Sequence, residues 1–285
     1  MNKKGLLFAT LMSLVALLHA DLKCGTSKIN FEPRIIGGHV VPNHAYPWMA
    51  FLVNTFNTTE GITRRNYCGA TLIDKQWLLT AVHCLDRFTD NRTFLHGVAL
   101  LGTNDVSKLG RNPKSISINY GPKDVFIHND STRIHNYIIN DVAMIKLPEP
   151  LKLDEIKNYV KPICLQEPGV KINAKNCYVA GWGRVYAEEG GLGQKILLST
   201  RVPFVKLPEC KKTFPYVTEK EVCAGSSTHS ACAGDSGGPL QCTNKKDGSW
   251  TMVGIASQGR DCKLTTYTRI LYYLEWINNI RKNNP

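Results

Sequence analysis

The segment Gly234-Asp235-Ser236-Gly237-Gly238-Pro239 sets a serine in a glycine-dense turn just ahead of the apolar Leu240. Glycine lets a backbone bend tightly and approach a ligand closely, and the amide N–H groups of Gly234 and Ser236 can converge there on a developing oxyanion. A plain hairpin turn accounts for Gly-Gly-Pro but not for the neighbouring Asp235. A serine hydroxyl is a poor nucleophile at neutral pH; it needs a base, and the base needs a group to orient it. Two further segments offer both. Thr80-Ala81-Val82-His83-Cys84 places His83 after an apolar run and beside a cysteine able to fix its loop, and Asn140-Asp141-Val142-Ala143 places Asp141 at the head of an apolar strand. In isolation neither residue carries a signal; with Ser236 they supply the three groups that acyl transfer requires.

The elements that must position these residues read as strands. From Ile35 onward, short apolar and β-branched segments alternate with Gly, Pro and Asn turns, which makes the fold class all-β. Predicted strands cover residues 48–53, 71–73, 77–80, 98–101, 125–127, 142–147, 177–180, 200–205 and 252–257. Leu271, Leu274, Ile277 and Ile280 recur three apart, predicting a short amphipathic helix over 271–280 that clamps the fold. A stretch rich in Pro, Lys, Asp and Glu over 148–161 reads as a crossing between two halves of similar strand content.

At 285 residues the chain has ample material for a hydrophobic core. Lys3-Lys4, an apolar run from Gly5 to Leu18 and then His19-Ala20 read as a secretory signal peptide over 1–20. A membrane anchor needs about twenty apolar residues, and no second such run follows, so a secreted, extracellular product without a membrane partner is expected. The ten cysteines are an even number and should pair in that oxidising compartment. They lack zinc-ligand spacing, so no metal is expected. Sequons at Asn57, Asn91 and Asn129 fit glycosylated surface loops. The formal net charge is +12, which favours acidic partners and leaves polyanion binding open. The basic pairs Arg64-Arg65, Lys211-Lys212, Lys245-Lys246 and Arg281-Lys282 are dispersed, however, as on a solvated face, and no basic helix of the nucleic-acid type occurs.

In this order, the histidine, aspartate and Gly-Asp-Ser-Gly-Gly-Pro segments resemble the trypsin/chymotrypsin family of serine peptidases. Ile35-Ile36-Gly37-Gly38, Pro47-Trp48, Cys68-Gly69, Gly181-Trp182-Gly183, Val222-Cys223-Ala224-Gly225 and Tyr267-Thr268-Arg269 match it too, so the resemblance runs from Arg34 to the end. It implies two six-stranded antiparallel β-barrels with a C-terminal helix and a site in the cleft between the barrels. His83 would be the general base, Asp141 its orienting acid, Ser236 the nucleophile, and Gly234 with Ser236 the oxyanion hole. It implies disulfides Cys68–Cys84, Cys177–Cys242, Cys210–Cys223 and Cys232–Cys262, leaving Cys24 for Cys164. An activation propeptide over 21–34 would be cut after Arg34 by an Arg-specific peptidase, and the new amine of Ile35 would pair with Asp235 in a peptidase domain over 35–285.

The same resemblance implies protein or peptide substrates, serine peptidase inhibitors as further partners, and no cofactor. Calcium-binding relatives carry an acidic ligand where this chain has Thr103. The substrate-binding positions are Ser230 at the base of the pocket, Ser257, Gly259 at its wall, and Thr265 narrowing the base. A neutral base leaves no counter-charge for a buried cation, so cleavage after large or medium apolar residues is expected. Three departures touch substrate contacts: only four residues separate Cys262 from Tyr267, Gln258 replaces an aromatic, and Ala233 precedes the oxyanion glycine. A non-catalytic homologue acting as a binding or decoy protein is the alternative; such proteins usually lack a triad residue, and none is missing here.

Overall fold

The computed structural model describes residues 23–27, 29, 38–85, 92–108, 112–135, 137–185 and 193–285. The signal peptide, the Arg34-Ile35 bond and the Asn91 sequon lie outside them. In chain order the strands are β1 (His39–Val40), β2 (Met49–Thr58), β3 (Thr63–Asp74), β4 (Trp77–Thr80), β5 (Arg92–Leu101), β6 (Ile116–Tyr120), β7 (Val125–Ile127), β8 (Thr132–Ile134), β9 (Tyr137–Ile139) and β10 (Ala143–Lys146). There follow β11 (Cys164–Leu165), β12 (Ile172–Gly181), β13 (Leu198–Arg201), β14 (Phe204–Val205), β15 (Glu221–Ala224), β16 (Pro239–Asn244), β17 (Trp250–Arg260) and β18 (Leu264–Arg269). The helices are α1 (Leu153–Ile156), α2 (Leu207–Thr213) and α3 (Ile270–Asn283).

The first sheet has the order β6-β5-β2-β3-β4-β10-β7. Its two outermost strands, β6 and β7, are consecutive in the chain and joined through a 3-10 turn at Pro122–Asp124. They act as one bent strand that pairs with β5 on one side and β10 on the other, so the sheet closes as six strands. The second sheet repeats the device. Its order is β1-β13-β12-β16-β17-β18-β15-β14, with β11 alongside β17, and β13 and β14 are separated only by Val202 and Pro203. Val202 N–H donates to the Cys177 carbonyl of β12 at 3.0 Å, and the Pro203 carbonyl accepts from Gly225, next to β15, at 2.9 Å. Proline, with no N–H, suits a point where a strand leaves one partner for another. Two barrels of six strands with a C-terminal helix are therefore the architecture, and β1 and β11 are two-residue additions.

Helix α3 spans the predicted 271–280 and continues to Asn283, but its buried face is Ile270, Tyr273 and Ile277. A strict spacing of three drifts around a helix, whereas i, i+3, i+7 keeps to one side; Leu274 and Ile280 pack at the edge of that face. Among the described residues no helix is long and apolar enough to cross a membrane.

Trp48 seals the junction of the barrels. It is fully buried immediately before β2, its indole N–H donates to Gln241 Oε1 on β16 at 2.6 Å, and its ring lies 5.8 Å from Tyr46 and 6.3 Å from Trp250. Buried tryptophan N–H groups need such a partner. Trp48→Ala should cost about 3–5 kcal/mol, read as a lower denaturant midpoint with an unchanged slope; Trp48→Phe should cost less, because it keeps most of the ring.

Candidate active site

Asp141 sits at the entrance to β10, and its direction is set one residue earlier. Asn140 has a left-handed backbone, φ 53°, which asparagine tolerates better than most residues. Its side chain donates to the Asp130 carbonyl at 2.8 Å and accepts from the Tyr273 hydroxyl of α3 at 2.9 Å. Asp141 is thereby turned inward, with 1% of its surface exposed. Its carboxylate accepts from His83 Nδ1 at 2.8 Å, from the His83 backbone N–H at 3.1 Å and from the Ser257 hydroxyl at 2.6 Å. Burial opposes ionisation, but the His83 imidazole and these hydrogen bonds outweigh it and hold the carboxyl below its ordinary pKa. An ionised carboxylate only accepts, so Nδ1 carries the proton and Nε2 the lone pair.

His83 rides on a 3-10 turn, Val82–Cys84, directly after β4, and the Cys68–Cys84 disulfide ties that turn to β3. Its side chain is 24% exposed. The serine turn reaches the same place from the second barrel: Gly69, beside Cys68 on β3, donates its N–H to the Ser236 carbonyl at 2.7 Å, and Gly237 donates to Ala256 at 2.8 Å. Gly237, φ 78°, leaves no room for a side chain, since a Cβ would lie 2.3 Å from Thr80 Oγ1 and 2.4 Å from the Gly69 carbonyl. Among the described residues the N–H groups of Gly234 and Ser236 meet no acceptor, whereas those of Asp235 and Gly237 do. Ser257, expected as a substrate contact, lines the cavity with Ser236 but commits its hydroxyl to Asp141. The register slip between Ala256 and Gln258 takes Ser257 out of the ladder, as bulges re-aim side chains.

Asp235 points away from Ser236. Its carboxylate accepts N–H groups from Gly183 at 2.7 Å and Cys232 at 2.9 Å, and the protein packed around it pushes its pKa up to about 6 despite those bonds. It lines a cavity of about 120 Å³ with Gly38, Gly183 and Ser230. Gly38 is the described residue nearest in sequence to Ile35.

The cavity beside Ser236 measures about 250 Å³ and is lined by Ala231, Ala256, Gly259 and Thr265 as well as Ser257. Ser230, expected at its base, lines the Asp235 cavity instead and stands behind Thr265, the two hydroxyls 3.0 Å apart. Thr265, not Ser230, is the one of that hydroxyl pair that lines the space. Sequence reasoning missed several lining residues, among them Ala231, Ala256 and the charged Asp261. The short spacing from Cys262 to Tyr267 was the only signal for Asp261, because a tight hairpin brings the residue before Cys262 to the cavity.

The cysteines pair as Cys24–Cys164, Cys68–Cys84, Cys177–Cys242, Cys210–Cys223 and Cys232–Cys262. Among the described residues one group of potential metal ligands clusters, Cys68, His83 and Cys84, and its sulfurs are joined in a disulfide. Thr103 spends its hydroxyl on the backbone of Asp105. Asn129 lies exposed between β7 and β8, but Asn57 is half-buried within β2 rather than on a loop, because the β2–β3 ladder continues to the pair Asn57 and Thr63.

A family model described as Trypsin matches residues 35–277. The chain is 32% identical to rat (Rattus norvegicus) chymotrypsin-C, over 93% of this chain and 96% of that protein. It is 31% identical to ovochymase-2 and 32% identical to transmembrane protease serine 7, both of Mus musculus, over 91% and 87% of this chain. Of those two longer proteins it spans only 40% and 28%. On the extent of these matches, the chain belongs to the trypsin family of serine peptidases.

Proposed function

We propose that this chain is a secreted serine endopeptidase made as a zymogen, with a signal peptide over 1–20, a propeptide over 21–34 and a peptidase domain over 35–285. The observation that carries the reading is the buried Asp141 carboxylate holding His83 Nδ1 at 2.8 Å, with the Ser236 turn hydrogen-bonded onto the strand that anchors the histidine. Ser236 Oγ attacks the substrate carbonyl while His83 Nε2 takes its proton and later delivers it to the leaving amine; Asp141 fixes the tautomer and stabilises the imidazolium. The N–H groups of Gly234 and Ser236 receive the oxyanion. Water then hydrolyses the acyl-enzyme by the same proton path. Ala231, Ala256 and Gly259 give the neighbouring cavity an apolar floor suited to large or medium apolar side chains before the scissile bond.

Cleavage after Arg34 supplies the α-amino group of Ile35 to Asp235, a carboxylate that has no cationic partner among the described residues beforehand. Residues 23–27 stay attached: Cys24 is bonded to Cys164, Gly25 exchanges backbone hydrogen bonds with Pro162 and Trp250, and Lys23 pairs with Asp247 at 3.1 Å. An Arg-specific peptidase upstream and serine peptidase inhibitors complete the set of partners.

Protein cleaved after Arg34 should hydrolyse peptide amides with Leu, Met, Phe or Tyr before the scissile bond, and Ser236→Ala should lower kcat by about ten-thousandfold or more without altering stability. Processed protein inert toward every such peptide would favour the decoy reading.

In the uncleaved chain the folded Asp235 carboxyl binds its proton more tightly than the unfolded one. Its contribution to stability is therefore largest at low pH and declines as pH rises from about 4 to about 6. The melting temperature of uncleaved wild type should fall across that window relative to Asp235→Asn. After cleavage the ammonium of Ile35 should abolish the decline, and a decline of equal size in both forms would disprove the pairing.

A further inference from the structure

Among the described residues that line the cavity beside Ser236, the one charged side chain is Asp261. It belongs to the turn between β17 and β18, where Lys263 N–H closes on the Arg260 carbonyl at 3.0 Å. Asp261 and Cys262 both have left-handed backbones, φ 54° and 53°, the geometry of a tight primed hairpin turn. The register from Gly259–Thr265 to Arg260–Leu264 and the Cys232–Cys262 bridge hold the turn beside the cavity. The neighbouring Arg260 and Lys263 do not line that cavity. Among the described residues the Asp261 carboxylate accepts no hydrogen bond and forms no ion pair. The rest of the lining is apolar or neutral: Ala231, Ala256, Gly259 and the Thr265 hydroxyl, with Ser230 behind it.

We infer that Asp261 is a specificity-determining residue that admits lysine and arginine before the scissile bond, alongside apolar residues, and discriminates against glutamate and aspartate. The inference rests on reading this cavity as the primary substrate pocket. A long basic side chain packs its methylenes on the apolar floor and keeps its charged end toward water, where the exposed carboxylate meets it. The neutral base made by Ser230 and Thr265 then stays undisturbed, and the cation is never buried without a counter-charge. An exposed charge pair contributes modestly and is weakened by salt, so the preference is one of degree.

The test uses protein cleaved after Arg34 and its Asp261→Asn variant, which keeps the shape of the side chain and suits a left-handed backbone. Peptide amides differing only in Lys, Met or Glu before the scissile bond are compared by kcat/KM. The Lys-to-Met ratio should fall about two- to fivefold in Asp261→Asn, the size of an exposed charge pair, the Glu peptide should gain, and both changes should shrink at high salt. Benzamidine binding, measured by calorimetry on the Ser236→Ala background, should weaken by a similar factor when Asp261 is replaced. Unchanged ratios, or benzamidine affinity that is absent or indifferent to Asp261, would overturn the inference. If no peptide is cleaved, the peptidase reading fails, and the benzamidine measurement still decides the role of Asp261.

Discussion

A carboxylate buried in a protein must find enough donors and positive charge to offset the water it has lost, and the arrangement of this molecule follows from meeting that need at Asp141. The donors come from both barrels. His83, held at the end of β4, gives a ring N–H and a backbone N–H; Ser257, on β17, gives its hydroxyl. Thr268 on β18 binds the Asp141 carbonyl at 2.9 Å. The group that orients the histidine is thus also the polar rivet across the barrel interface, set beside the apolar one at Trp48. The site cannot loosen without the two halves parting.

Asp235 is the counterpart that has not been satisfied. Two backbone N–H groups reach it, yet packing raises its pKa to about 6 where Asp141 is held low. Two buried aspartates are driven in opposite directions, the difference being that Asp141 has the His83 imidazole and the Ser257 hydroxyl beside it, whereas among the described residues Asp235 has two backbone N–H groups alone. An arrangement of this kind stores a preference for a cation that the uncleaved sequence cannot supply from its own side chains among the described residues.

How much could be read beforehand follows from what each feature is made of. Strands with apolar runs, such as β4 and β7, and the residues of the Ser236, His83 and Asp141 segments were visible because local composition and short motifs encode them. The outer half of the β2–β3 hairpin was not: Thr63, Arg64 and Arg65 are polar and exposed, and only their partners across the ladder make them a strand. The β8–β9 hairpin was overlooked for the same reason, since all of β8 is exposed. The buried face of α3 was misjudged by one step around the helix, because tertiary packing selects Tyr273 for its bond to Asn140. Asp261 and the redirected Ser257 hydroxyl depend on a turn and a register slip, which only the assembled sheet defines.

The two bent strands have a consequence for how this molecule can fail. A closed barrel exposes no open edge for another chain to extend, and here each closure depends on a short break, Pro122–Asp124 in one barrel and Val202-Pro203 in the other. Until those breaks form, each half is an open sheet with a free strand on either side, and once they form both sides vanish together. The hazard of intermolecular pairing is thereby confined to the stages before closure, and the seams, more than the cores, are where a damaged chain would first become sticky.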